Sequence, residues 1–193
     1  MDYNVVQPPF TLNFREMSNE ELAEYFRWFL SIQQERKDEL ERAVQSANGF
    51  QDWKADGSQT SLNALADWFA LQIDTRKRST GDVKEILANS DSAIPIPDWE
   101  LTNRVFSLAM DVGMYFAFVL QKRFSHLRWE QSKNNKRDAN YGQPILVGFG
   151  RIALNPVHII ITAAYGMASG KRGPERVHEL WDYWSNLAAT NSN

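Results

Sequence analysis

The most apolar stretch of the chain lies between Val105 and Leu120 and contains a single charged residue, Asp111. An apolar segment without a polar face is typical of a helix that is buried on all sides. The segment is shorter than the ~20 residues that a membrane span needs, so it predicts the central core helix of a protein without a membrane partner. The pattern therefore places a carboxylate in the interior, where a charge is costly.

A first helix is predicted to begin after Ser18, because Ser18 and Glu21 have the spacing of a capping box. Apolar residues follow at helical spacing, namely Leu22, Tyr25, Phe26, Phe29 and Leu30. The polar residues 33–39 interrupt this stripe, which resumes at Leu40 and ends before Gly49. Either one long helix carries its middle turns past the edge of the core, or two helices meet there. We favour one helix, since residues 33–39 include no Gly or Pro.

Four further predictions cover the segment up to the central helix. A second helix begins at Thr60 or Ser61 and continues to Arg76, with Asp67 and Asp74 on one side. Residues 82–88 form a short helix, and residues 89–97 form an extended linker that contains two prolines. Asp98 is expected to cap the central helix.

The periodicity changes after the central helix. Residues 126–131 alternate between apolar and polar positions, and residues 144–149 form a short apolar run that begins with Pro144. Together they predict an antiparallel β-hairpin over about 126–149, joined by a long polar loop. Asn155 and Pro156 then open a buried helix that closes at Gly170, and Pro174 begins an amphipathic last helix.

These elements predict a mainly α fold (α+β) in which a helical domain carries one small hairpin. Residues 1–193 are expected to form one domain. Within it, residues 1–17 form an extended N-terminal segment, residues 18–97 the N-terminal helices, and residues 98–193 the core helix, the hairpin and two C-terminal helices. A chain of 193 residues is long enough to bury a stable core without disulfides or bound metal ions.

Composition narrows the functional classes. The chain has no Cys, which excludes disulfides, a thiol nucleophile and cysteine-based zinc sites. Its N-terminus does not resemble a secretory signal, so a cytoplasmic protein is expected. The net charge is -3, but residues 1–75 carry 13 acids and 6 bases, for a net charge of -7. This asymmetry suggests an acidic face that meets a basic partner, with Glu20, Glu24 and Asp56 as candidate contacts.

Asp111 permits two interpretations. It is either a structural acid, paired with an arginine such as Arg128 or Arg151, or an acid that lines a pocket between the core helix and the hairpin. In the second case Trp129 and Tyr141 are further pocket candidates. No metal site and no cofactor are expected: Asp67 and Asp74 could join Asp111 in a carboxylate cluster, but metal sites in helical bundles normally use Glu and pairs of Glu-x-x-His, and none of the three Asp residues has a His three positions on.

The basic residues around the predicted hairpin suggest a third function. Six Lys or Arg side chains lie between Lys122 and Arg137, with Trp129 and Tyr141 beside them. Basic side chains interleaved with aromatic rings can bind phosphates and stack bases. We do not expect nucleic-acid binding, because Trp129 is predicted to face inward and the chain is acidic, with a pI near 5.7.

The C-terminal half resembles a group of uncharacterised bacterial domains. The resemblance rests on Asp111 and Gly113, Trp129 and Glu130, the run NYGQPILVGF from Asn140 to Phe149, and Leu154 to Pro156. Such domains are built as a helix, a Trp-containing strand, a Pro-started strand and a further helix, and some similar proteins are immunity partners of bacterial toxins.

Two functional hypotheses follow. The first is a cytosolic immunity-type protein that covers a toxin through its acidic half. The alternative is a small enzyme or ligand-binding domain with a pocket around Asp111. Enzymatic activity is less expected than binding. The sequence leaves the oligomeric state open.

Overall fold

The computed structural model describes residues 3–81, 83, 97–133 and 135–191. Its helices are α1 (Asn19–Gln45), α2 (Gln59–Ala70), α3 (Asn103–Arg123), α4 (Pro156–Ala168) and α5 (Glu175–Thr190). Its strands are β1 (Thr75–Lys77), β2 (Trp99–Leu101), β3 (Arg128–Gln131), β4 (Pro144–Phe149) and β5 (Ile152–Leu154). The fold is mainly α with two small antiparallel sheets, which confirms the predicted class.

Helix α3 is the central core helix that the apolar run predicted. Its residues from Leu108 to Ala117 are all buried, and Asp111 is among them. By length and hydropathy alone α3 could cross a membrane, but 78% of its most apolar window is buried within the protein. The start of the helix differs from the prediction, because Thr102 rather than Asp98 provides the N-cap.

The small β1–β2 sheet explains that difference. Trp99–Leu101 pairs antiparallel with Thr75–Lys77, so the chain that follows Asp98 is a strand and Asp98 cannot cap a helix. The same pairing shortens the second helix, which ends at Ala70 and not at Arg76. A short helix was predicted over 82–88 and a linker over 89–97. Apart from Val83 and Pro97, these residues lie outside the described part of the chain.

Helix α1 is one continuous helix, as favoured, and the Ser18–Glu21 capping box is present. Its middle turns do not leave the core, however. Arg36 and Glu39 are buried there, in line with the apolar stripe that includes Phe29 and Leu40. Within the polar interruption, Arg36 makes a buried polar contact with α3.

The predicted hairpin forms between β3 and β4, with Arg128 opposite Val147 and Gln131 opposite Pro144. A third strand, β5, follows a tight turn at Gly150 and pairs with β4. Asn155 then caps α4 through the His158 amide, and Pro156 is its first residue, as predicted. The sheet thus leads directly into α4, which packs against α3.

Helices α3 and α4 pack at very short range where they cross. A Cβ atom on Gly113 would lie 2.8 Å from the Cα atom of Val157 and 2.9 Å from the carbonyl oxygen of Pro156. Only glycine allows the two backbones to approach this closely. The amphipathic helix α5 covers both the core helix and the sheet, since Trp181 and Trp184 pack edge-on against Phe116 of α3 and Phe149 of β4.

Candidate functional site

A cavity of about 560 Å³ lies between the N-terminal segment and the helical core. Five parts of the chain form its wall: the N-terminal segment, α1, α3, the start of β4 and α4. Most of the wall is apolar, with Val6 and Phe14 from the N-terminal segment facing Phe29, Phe106 and Met110. Cavities of this size, lined in this way, are typical of sites for small ligands.

The N-terminal segment is held across this cavity by hydrogen bonds to the core. The backbone N–H of Val6 donates to the Ser107 hydroxyl over 2.7 Å, and the N–H of Asn4 donates to Glu39 over 2.7 Å. The Tyr3 hydroxyl donates to Oδ2 of Asp111 over 2.5 Å. The segment therefore forms one wall of the cavity, and hydrogen bonds from residues 3–6 attach it to the core.

Asp111 forms a buried ion pair with Arg36, which corrects the predicted partners Arg128 and Arg151. Nε of Arg36 donates to Oδ1 over 2.9 Å, and one terminal nitrogen donates to Oδ2 over 2.8 Å. Arg128 instead pairs with Glu130 at the surface, and Arg151 is exposed. The carboxylate thus has a bidentate cation and a hydroxyl donor, the arrangement that a buried charge needs.

Burial and charge shift the pKa values of this cluster. Burial raises the pKa of Asp111, while the hydrogen bonds and charge of Arg36 act against that rise. Burial would lower the pKa of Arg36, but the hydrogen bonds and charge of Asp111 outweigh it and raise the pKa. Burial and the neighbouring Asp111 carboxylate raise the pKa of Tyr3, so Tyr3 stays protonated and donates.

The structure separates the three predicted pocket residues from the cavity wall. Asp111 borders a smaller cavity of about 260 Å³ between α1 and α3. Trp129 packs edge-on against Phe29, with ring centroids 5.1 Å apart, and Tyr141 is buried in a cluster with Leu22. The large cavity does lie between the core helix and the hairpin, but Ser107 and Met110 of α3 face it instead of Asp111.

The polar side chains of the wall differ in whether they are already bonded. The Ser107 hydroxyl is hydrogen-bonded to the Tyr3 hydroxyl and accepts from the Val6 N–H. Asn155 caps α4 and donates to the Gln143 side chain, which in turn donates to the Ala139 carbonyl. Tyr25 is 7% exposed, and its hydroxyl makes no hydrogen bond to any residue that the structure describes. Because burial raises the pKa of Tyr25, this hydroxyl stays neutral and can both donate and accept.

The three partner-contact candidates do not form one surface. Glu20 and Glu24 are exposed one turn apart near the start of α1. Asp56 lies beyond the other end, where Glu41 accepts from the Ala55 N–H over 2.9 Å and the Asp56 carbonyl accepts from Lys122. Glu24 and Glu41 are 17 positions apart in α1, and the helical rise puts them about 25 Å apart.

Asp67 and Asp74 are exposed and do not approach the buried Asp111. In the described part of the chain, no three Asp, Glu or His side chains lie close enough to hold a metal ion.

Sequence reasoning missed the two residues that now matter most, although one of them carried a signal. Arg36 follows Phe29 by seven positions and precedes Leu40 by four, so it occupies a core position of the α1 stripe. A cation at such a position predicts a buried acid, and Asp111 was the obvious partner. Tyr25 was assigned to the stripe, but its free hydroxyl depends on tertiary packing.

Comparison with protein-family models, curated proteins and solved structures gave no significant match.

Proposed function

We propose that this protein binds a small apolar molecule in the cavity beneath its N-terminal segment. The observation that carries the proposal is the cavity itself, about 560 Å³ in volume and lined mainly by apolar side chains from five parts of the chain. Burial of apolar ligand surface stabilises a complex by about 25 cal/mol per Å². Met110 adds a flexible, polarisable side chain that can adapt to the shape of a ligand.

The wall supports binding rather than a reaction. Ser107 is the α3 hydroxyl in the wall, and because Tyr3 donates its own proton to Asp111, Ser107 must donate to the Tyr3 oxygen. Its oxygen also accepts from the Val6 amide, so it has no base to activate it. Among the described wall residues none is a carboxylate, a histidine or a lysine.

Filling the cavity should weaken binding. We expect Ile161→Trp, on the α4 wall, to lower the affinity for Nile red, a neutral dye that fluoresces in apolar sites, by about tenfold or more, equivalent to about 1.4 kcal/mol. The added indole would occupy volume that the dye needs. Fluorescence titration measures the effect, and Val157→Phe, on the same wall, should act in the same direction.

Leu71→Trp provides the matched control, since Leu71 is 73% exposed and outside the cavity wall. It introduces the same indole and should leave the dye affinity unchanged. Thermal melts show whether each variant is folded. If the folded cavity variants bind the dye as tightly as the unmodified protein does, or if the unmodified protein does not bind it, the proposal is wrong.

A second candidate is an immunity-type protein that neutralises a bacterial toxin in the cytoplasm. The supporting observation is the exposed acidic surface at the start of α1, where Glu16, Glu20, Glu21 and Glu24 all face solvent. Such a surface attracts a basic partner and speeds association.

The test of this candidate is rescue by co-expression with a toxin domain that a neighbouring gene encodes. We expect Glu20→Lys with Glu24→Lys to slow association, and to do so more strongly at low salt, where the charges are less screened. Glu179→Lys with Asp182→Lys reverses two exposed acids on α5 and is the matched control. Failure of rescue, or equal effects of the two pairs, would reject the acidic surface as the interface.

A further inference from the structure

The charge distribution around the cavity specifies a ligand class, an inference that rests on the proposed function. Among the described residues of the wall, none carries a charge. An ionised ligand group buried there would lose its hydration without gaining a counter-ion, at a cost of several kcal/mol. The wall therefore disfavours a carboxylate or an amine on the buried part of the ligand.

The nearest buried cation does not change this conclusion. Arg36 is 5% exposed, and its bonded donors are directed to Asp111, Tyr3 and the carbonyl of Asn4. Recruiting it would break the buried ion pair. Arg104 is next to the wall residue Asn103, but its guanidinium lies over the Tyr3 ring and donates to Gln72 over 2.9 Å.

The Tyr25 side chain is largely buried and lines the wall, its hydroxyl has no hydrogen-bond partner among the described residues, and the hydroxyl oxygen is not closed off from solvent. A hydroxyl that is open to the cavity and has no protein partner takes a water or a ligand group as its hydrogen-bond partner. The rings of Phe10, Phe14 and Phe29 surround Tyr25, with centroid distances of 5.6, 5.0 and 6.5 Å. These contacts fix the ring, so the position of the hydroxyl is also fixed.

We propose that the cavity binds a neutral, mainly apolar molecule with one hydrogen-bonding group, such as an alcohol or an amide, which bonds the Tyr25 hydroxyl. The apolar part fills the space between the N-terminal segment and α3. The polar group bonds this wall hydroxyl, which has no partner among the described residues. A long-chain alcohol is the simplest probe with these properties.

The test compares dodecan-1-ol with dodecanoate, which have the same chain and differ in charge, as competitors of bound Nile red at about pH 8. At this pH the carboxyl group is ionised. We expect the alcohol to displace the dye at least about tenfold more effectively, since the carboxylate would have to be buried unpaired. Equal or stronger displacement by dodecanoate would overturn the neutral-ligand inference, while dye binding itself would still support the proposed function.

Tyr25→Phe tests the hydrogen bond. Loss of one hydrogen bond should lower the dodecan-1-ol affinity by about 2- to 10-fold. Tyr183→Phe removes the same group from a residue that is 55% exposed and outside the wall, and should have no effect. A folded Tyr25→Phe variant that binds the alcohol as tightly as the unmodified protein would overturn the role of Tyr25.

Discussion

Replacing Arg36 with Met should lower the free energy of unfolding by about 3–5 kcal/mol. The substitution leaves Asp111 buried and without the cation that donates to both of its carboxylate oxygens. It also removes a donor to Tyr3 and to the Asn4 carbonyl, so the N-terminal segment loses part of its attachment. Denaturant unfolding measures the loss, and amide exchange should accelerate in residues 3–14.

Arg42→Met is the matched control for this prediction. Arg42 is on the same helix and also donates to a carboxylate, that of Glu39, but its own side chain is 60% exposed. An exposed ion pair contributes about 0–1 kcal/mol, so this variant should be nearly as stable as the unmodified protein. If the two substitutions lowered the free energy of unfolding equally, burial of the Arg36–Asp111 pair would not determine how much the pair contributes to stability.

Replacing Gly113 with Ala should destabilise the protein by about 1–3 kcal/mol, although Ala is the better helix former. The new methyl group would lie 2.8 Å from the Cα atom of Val157 and 2.9 Å from its backbone nitrogen. Backbone atoms cannot move aside as a flexible side chain does, so α3 and α4 would have to separate. Thermal or denaturant unfolding measures the effect.

Gly166→Ala is the control, because Gly166 is also inside a helix. A Cβ atom there would meet only the Arg172 side chain, at 3.4 Å. The helix propensity gain of about 1 kcal/mol should then prevail, and the variant should be as stable as the unmodified protein or more stable. A stable Gly113→Ala variant would contradict the close approach of α3 and α4.

Local signals in the sequence predicted much of the fold. The Ser18–Glu21 capping box and the Asn155–Pro156 start are present because each is complete within a few residues. The hairpin followed from the alternation over 126–131 and the apolar run over 144–149. Helix α3 followed from its apolar composition, which is typical of a helix buried on all sides.

The failures concern elements whose structure depends on distant partners. Thr75–Lys77 is exposed along its whole length and shows no alternation, so nothing local indicated that it pairs with Trp99–Leu101. Arg36 and Asp111 are 75 positions apart, and only the stripe position of Arg36 connected them. The N-terminal segment looked featureless because its packing partners, Ser107 and Asp111, are on α3.

The pocket expected from the sequence and the cavity in the structure have different linings. A pocket between the core helix and the hairpin was expected around Asp111, and a cavity does lie between α3 and β4. Helical geometry explains the difference, since Ser107 and Met110 face the cavity while Asp111 is directed to α1. When a helix is apolar on nearly all sides, the packing of neighbouring elements decides which side faces a cavity. The sequence pattern does not show where those neighbouring elements lie.

Methionine-methyl NMR can detect a neutral apolar ligand in the cavity beneath the N-terminal segment. Met110 lines the cavity, whereas Met167 on α4 is outside its wall. With dodecan-1-ol, we expect the Met110 methyl resonance to shift and to show nuclear Overhauser contacts to the alkyl chain, while Met167 stays unchanged. An unmoved Met110 resonance at saturating alcohol, or equal shifts at both methionines, would contradict the account.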